Sequence, residues 1–86
     1  ILQFLRMKCN LIGTKLGCGE GGCGACTIVI NKSLNSEFLA VNACIMPLAS
    51  CHEKHIITIE GIGNTKQSHL VQEEMKNGSQ CGFCTP

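Results

Sequence analysis

The apolar residues of this chain change their spacing along its length. Ile1, Leu5 and Lys8 fall near one face of a 3.6-residue repeat, with Leu2 and Phe4 beside it. Residues 1–8 therefore read as the end of an amphipathic helix. Gly13 ends the turn that follows, and from Cys18 to Gly24 the apolar pattern disappears, which predicts a loop. β-Branched residues then take over. Residues 26–30 read as a strand and 38–41 as a shorter one, joined by a polar, turn-like run over 31–37. Pro47 has no amide to donate to a ladder, so 45–50 is expected as a loop or an edge segment. Residues 55–59 form the clearest strand pattern, ended by Glu60 and Gly61. Ser68 is placed to cap a helix running to about Met75, with Asn77 and Gly78 as its stop. Helix, loop, hairpin, strand and helix make an α+β chain.

The loop carries the chemistry. Cys18, Cys23 and Cys26 stand in a Cys-x4-Cys-x2-Cys run with five glycines between Gly17 and Gly24. That is the spacing with which plant-type ferredoxins present three of the four thiolates of a 2Fe–2S cluster. A side chain at most positions of such a loop would push the backbone away from the sulfurs. Glycine removes that obstacle and reaches positive φ, so amide N–H groups can turn toward a wrapped anion. A fourth thiolate is needed, and Cys44 and Cys51 are the candidates. The hairpin predicted over 26–41 would carry the chain back to the loop just before Cys44. Cys51 precedes His52-Glu53-Lys54-His55 and reads as the approach to an exposed turn. Local pattern favours Cys44.

A second thiol pair, Cys81 and Cys84, closes the chain in Gln80-Cys81-Gly82-Phe83-Cys84-Thr85-Pro86. A Cys-x2-Cys pair alone serves zinc, dithiol chemistry or half of an iron–sulfur site. Here it is half a site.

Composition narrows the field. Eighty-six residues make one small domain and the start of another, and three Phe with no Trp or Tyr leave a thin core. A bound cluster would supply much of the missing cross-linking. The net charge of +1, without a basic run, gives no support to nucleic-acid binding. No apolar stretch approaches the roughly 20 residues of a membrane span. Eight cysteines also fit a secreted disulfide scaffold. A glycine-packed triplet is a poor framework for bridges and a good metal loop, so a reducing compartment, most simply the cytoplasm, is expected.

Together these residues resemble the N-terminal iron–sulfur region of the xanthine dehydrogenase and aldehyde oxidase family, the molybdenum hydroxylases. The matching stretches are residues 13–27, Asn42-Ala43-Cys44, residues 58–63 and residues 78–86, in the family's order. The resemblance implies a β-grasp, ferredoxin-like domain over 1–65 and the start of a helical domain over 66–86. It implies a first 2Fe–2S cluster on Cys18, Cys23, Cys26 and Cys44, and half of a second on Cys81 and Cys84. Gln80 matches a glutamine that lies against the molybdopterin in that family. The implied role is a relay that passes electrons from the molybdopterin site through two 2Fe–2S clusters toward FAD. Partners would be the FAD and molybdopterin domains of one parent chain, itself a homodimer. Family members begin with a short hairpin, whereas this chain opens at Ile1 inside the expected helix, so it reads as an internal fragment.

Other readings are weaker. His52-Glu53-Lys54-His55 is one residue short of the zincin spacing and precedes a strand, so a solvated turn is expected. His69 reads as helix-start surface, and Cys9 as a small, half-buried apolar residue. Gly61 and Gly63 are only part of a dinucleotide fingerprint. Arg6 and Lys15 are placed either to offset cluster charge or simply at the surface. A stand-alone ferredoxin would have no use for Cys81 and Cys84. A zinc protein pairing Cys23/Cys26 with Cys81/Cys84 would leave Cys18 and the glycines unexplained.

Overall fold

A computed structural model describes residues 1–33 and 35–83. The chain opens with helix α1 (Leu2–Met7), whose buried side chains are Leu2 and Leu5. Strands β1 (Thr27–Asn31), β2 (Leu39–Asn42) and β3 (His55–Ile57) form one sheet in the order β2-β1-β3. Both pairings are antiparallel, with Ile28 opposite Val41 and Ile30 opposite Ile56. The first two strands each begin one residue later than their patterns predict, within the ordinary uncertainty of element ends.

The central strand supplies the core. Ile28 is 1% exposed, and it clusters with Ile30, Leu2, Leu5, Cys26 and Ala43. Alternation along β1 sends Ile28 and Ile30 to the face that α1 covers. Main-chain bonds fix the helix there: the Leu2 amide donates to the Ala43 carbonyl at 3.2 Å. The Ile1 amino group donates to the Met46 carbonyl at 2.9 Å. The expected α+β class therefore holds, with the hairpin β1–β2 at its centre.

Three local expectations are corrected. The strand predicted over 55–59 stops at Ile57, and α2 (Ile59–Ile62) makes one helical turn. Thr58 is buried and extended, and its carbonyl accepts from the Gly61 amide at 2.9 Å, which coils the chain. β-Branched residues at 56–59 suit both conformations when tertiary contacts decide. Pro47 does not lead a loop or edge segment: it precedes one turn of 3-10 helix, Leu48–Cys51. Helix α3 (Leu70–Met75) is capped by His69, not Ser68. The His69 Nδ1 accepts from the Val71 amide at 3.2 Å, while Gln72 Oε1 accepts from the His69 amide at 2.9 Å. A neutral imidazole nitrogen can accept as a serine oxygen does, and the glutamine completes a capping box.

Candidate metal centre

The cysteine loop is pinched at its base. The Lys15 amide donates to the Ala25 carbonyl at 3.1 Å, and the Thr27 amide and hydroxyl both reach the Gly24 carbonyl. Arg6, on the last turn of α1, donates through Nη1 to the carbonyls of Ile12 and Thr14 at 2.6 and 2.8 Å. Its charge organises the chain entering the loop. Lys15 likewise turns back, donating to the Gly13 carbonyl at 3.2 Å.

Between these anchors the backbone wraps the first thiol. Cys18 Sγ accepts from the amides of Glu20, Gly22 and Cys23 at 3.4, 3.2 and 3.4 Å. Gly19, Gly21 and Gly24 adopt φ of 72°, 77° and 77°, the left-handed region that such a wrap requires. The Glu20 amide foremost, then those of Cys23 and Gly22, lower the Cys18 pKa to about 6. A thiol held as thiolate near neutral pH by three N–H donors is a ready metal ligand. Close approach is just as specific. A Cβ added at Gly17 would lie 2.5 Å from Cys23 Sγ.

The second pair of sulfurs comes from the hairpin. Cys26, 2% exposed, stands immediately before β1, and Cys44 follows β2 by two residues. The Ala43 amide donates to the Cys26 carbonyl at 3.1 Å and the Cys44 amide donates to Cys26 Sγ at 3.4 Å. Burial first, then the hydrogen-bonded Cys26 thiol, push the Cys44 pKa up, while the Gly21 amide opposes them. The Cys18 charge also bears on Cys44, so the loop pair and the hairpin pair share one electrostatic environment.

The structure places the four thiols expected at the first site in two pairs, Cys18 beside Cys23 and Cys26 beside Cys44. Among the described residues, no three His, Cys, Asp or Glu side chains are grouped as a single ion would require. Cys51 points elsewhere, its Sγ 3.9 Å from Met46 Sδ and 4.0 Å from the Pro47 carbonyl. Cys9 is exposed, not half-buried, because it lies past the end of α1. Gln80 and Cys81 are both exposed beyond α3. Cys84 lies outside the described residues. His52 and Glu53 form an exposed turn, as expected.

Sequence reasoning missed Asn42. Its Nδ2 donates to the Gly21 carbonyl at 3.2 Å, joining the end of β2 to the tip of the loop. The available signal was its position two residues before Cys44, at the end of the predicted hairpin.

A family model for the 2Fe–2S iron–sulfur cluster binding domain matches residues 1–49. The chain belongs to this family. The whole chain aligns with the mouse (Mus musculus) xanthine dehydrogenase/oxidase at 55% identity over 92 aligned positions. It aligns with the xanthine dehydrogenase of Emericella nidulans at 54%. The chain spans 7% of the length of these curated relatives. Among solved structures, the aldehyde oxidoreductase of Desulfovibrio gigas superposes with a TM-score of 0.84 at 34% identity. That match covers 98% of this chain and 9% of the other. The quinoline 2-oxidoreductase of Pseudomonas putida 86 superposes at 0.81 with 31% identity, covering 98% of this chain and 49% of that one. The 2Fe–2S binding domain thus has its counterparts inside larger oxidoreductases, and the ferredoxin-like fold expected from the sequence is shown.

Proposed function

We propose that Cys18, Cys23, Cys26 and Cys44 hold one 2Fe–2S cluster, each neighbouring pair on one iron. The chain then serves as the iron–sulfur relay of a larger xanthine dehydrogenase- or aldehyde oxidase-type enzyme. The observation that carries this reading is the two thiol pairs, one of them wrapped by backbone amides. When bound, the cluster supplies reversible one-electron storage. This chain's residues hold it and set its environment. The amides of Glu20, Gly22 and Cys23 offset negative charge on Cys18, and burial of Cys26 keeps water from one side.

The same reading gives Cys81 and Cys84 as half of a second 2Fe–2S site, completed by cysteines outside this chain. It also gives Gln80 as a contact to the molybdopterin of the parent enzyme. The first domain spans residues 1–65 and the helical one begins at 66. Electrons pass from the molybdopterin site through both clusters toward FAD, within a cytoplasmic, homodimeric parent. Among the described residues, no helix is long and apolar enough to cross a membrane.

Iron and acid-labile sulfide analysis of the purified protein tests the proposal. The expected result is iron and sulfide in equal amounts, about two of each at the first site. One tightly held zinc without sulfide would overturn it.

A further inference from the structure

We infer that Asn42 is a positioning residue that sets the electronic environment of the Cys18 sulfur by fixing the Gly21–Gly22 peptide. The inference rests on the proposed cluster site and adds a residue to it. The Asn42 amide donates to the Gly21 carbonyl at 3.2 Å, a bond spanning 21 residues of sequence. The other ties of the loop enter at its base, through Lys15, Ala25 and Thr27.

Gly21 sits in a conformation that such a tie would fix. Its φ of 77° is left-handed, and a side chain there would press on Ile45, whose Cδ1 would lie 2.9 Å from the added Cβ. Asn42 is half-buried and anchored in the ladder opposite Thr27, so its amide starts from a fixed point. The N–H of the same peptide plane, on Gly22, donates to Cys18 Sγ at 3.2 Å. A carbonyl held at one end and an N–H bonded to sulfur at the other constrain the orientation of the Gly21–Gly22 peptide. Without the Asn42 bond that peptide is free to rotate, and the N–H donor to Cys18 weakens.

The direction of the effect follows from charge. Reduction adds an electron to a cluster that already carries thiolate charge, so N–H donors to sulfur favour the reduced form. Losing one favours the oxidised form and lowers the potential.

Asn42→Leu keeps the shape and removes the donor, while Asn42→Ser keeps polarity but cannot reach Gly21. Midpoint potentials of the full protein, measured by spectroscopically monitored titration, should fall in both. The redox equilibrium should shift roughly threefold to tenfold, tenfold being about 59 mV for one electron. In the metal-free protein, amide hydrogen exchange should quicken at residues 21–23 and stay unchanged in β1. Unchanged potentials in loaded variants would overturn the inference and leave the ligand assignment standing. Should neither variant load, the exchange pattern decides. Faster exchange confined to the loop supports positioning, and faster exchange throughout means that Asn42 is only a stability residue. A wild-type protein without iron and sulfide would instead overturn the cluster reading itself.

Discussion

The two halves of this chain present cysteines on very different supports. Cys26 and Cys44 flank a hairpin whose first strand sends Ile28 and Ile30 into the core. Cys81 follows a helix with no buried residue, where Leu70, Val71 and Met75 are 79%, 62% and 45% exposed. In the first half, the packing that stabilises the sheet also brings the sulfurs together. In the second, the helix is tied to the preceding chain by Gln72, which donates to the Ile59 and Gly63 carbonyls, but buries none of its own residues. A metal site needs a scaffold that holds its ligands before the metal arrives, and the hairpin half supplies one from its own residues.

The comparison breaks most sharply at the ligands. Cys44→Ser should abolish the first cluster's visible absorption, whereas Cys51→Ser should leave it intact, because Cys51 faces Met46 and Pro47. Equal loss in both would mean that the hairpin does not select the fourth sulfur. Glycines sharpen the same contrast with no thiol removed. Gly17→Ala should cut cluster content at least several-fold, since its methyl would meet Cys23 Sγ at 2.5 Å. Gly78→Ala should load normally, because the nearest atom to its added methyl is the Met75 carbonyl at 3.4 Å. Iron per chain, measured after identical reconstitution, reads both.

Stability should divide along the same line. Ile28→Ala removes a side chain that is 1% exposed and should cost about 2–5 kcal/mol. Leu70→Ala trims a residue that is 79% exposed and should change stability by no more than about 0.5 kcal/mol. Urea unfolding of the metal-free protein measures both. A large loss at Leu70 would show that α3 is packed in solution and that the halves are alike.

What the sequence made legible follows this division too. The loop was readable because its chemistry is local: three cysteines and five glycines within a few residues leave few alternatives. The β1–β2 hairpin was readable because β-branched runs flank a polar turn. The chain after Ile57 was harder. Whether Ile59 extends a strand or starts a helix depends on Thr58 being buried and on Glu60 reaching Gly13, contacts that no local pattern reports. His69 as a cap was hidden because histidine seldom takes that place, although Gln72 three residues on was a visible partner. Asn42 was hidden for the opposite reason, since its target lies 21 residues away.

Glu60 joins the two halves, and it offers the smallest but most specific test. Its Oε1 accepts from the Gly13 amide at 2.6 Å, tying α2 to the chain that leads into the cysteine loop. Burial raises its pKa, but the Thr58 hydroxyl, the Gly13 amide and the Lys15 charge outweigh that, and the net direction is downward from 4.5. A carboxyl whose pKa is depressed on folding stabilises the fold above its unfolded pKa, near 4.5. That contribution is lost as the pH falls through the lower, folded value. Glu60→Gln keeps an acceptor for Gly13 but removes the charge, so it should cost about 1 kcal/mol at pH 7. The difference from wild type should close as the pH falls from 4.5 through the depressed folded value, where the wild-type carboxyl takes up its proton. A deficit unchanged across that range would mean that Glu60 acts by shape alone. A deficit that closes means that its charge couples the second half of the chain to the loop of the first.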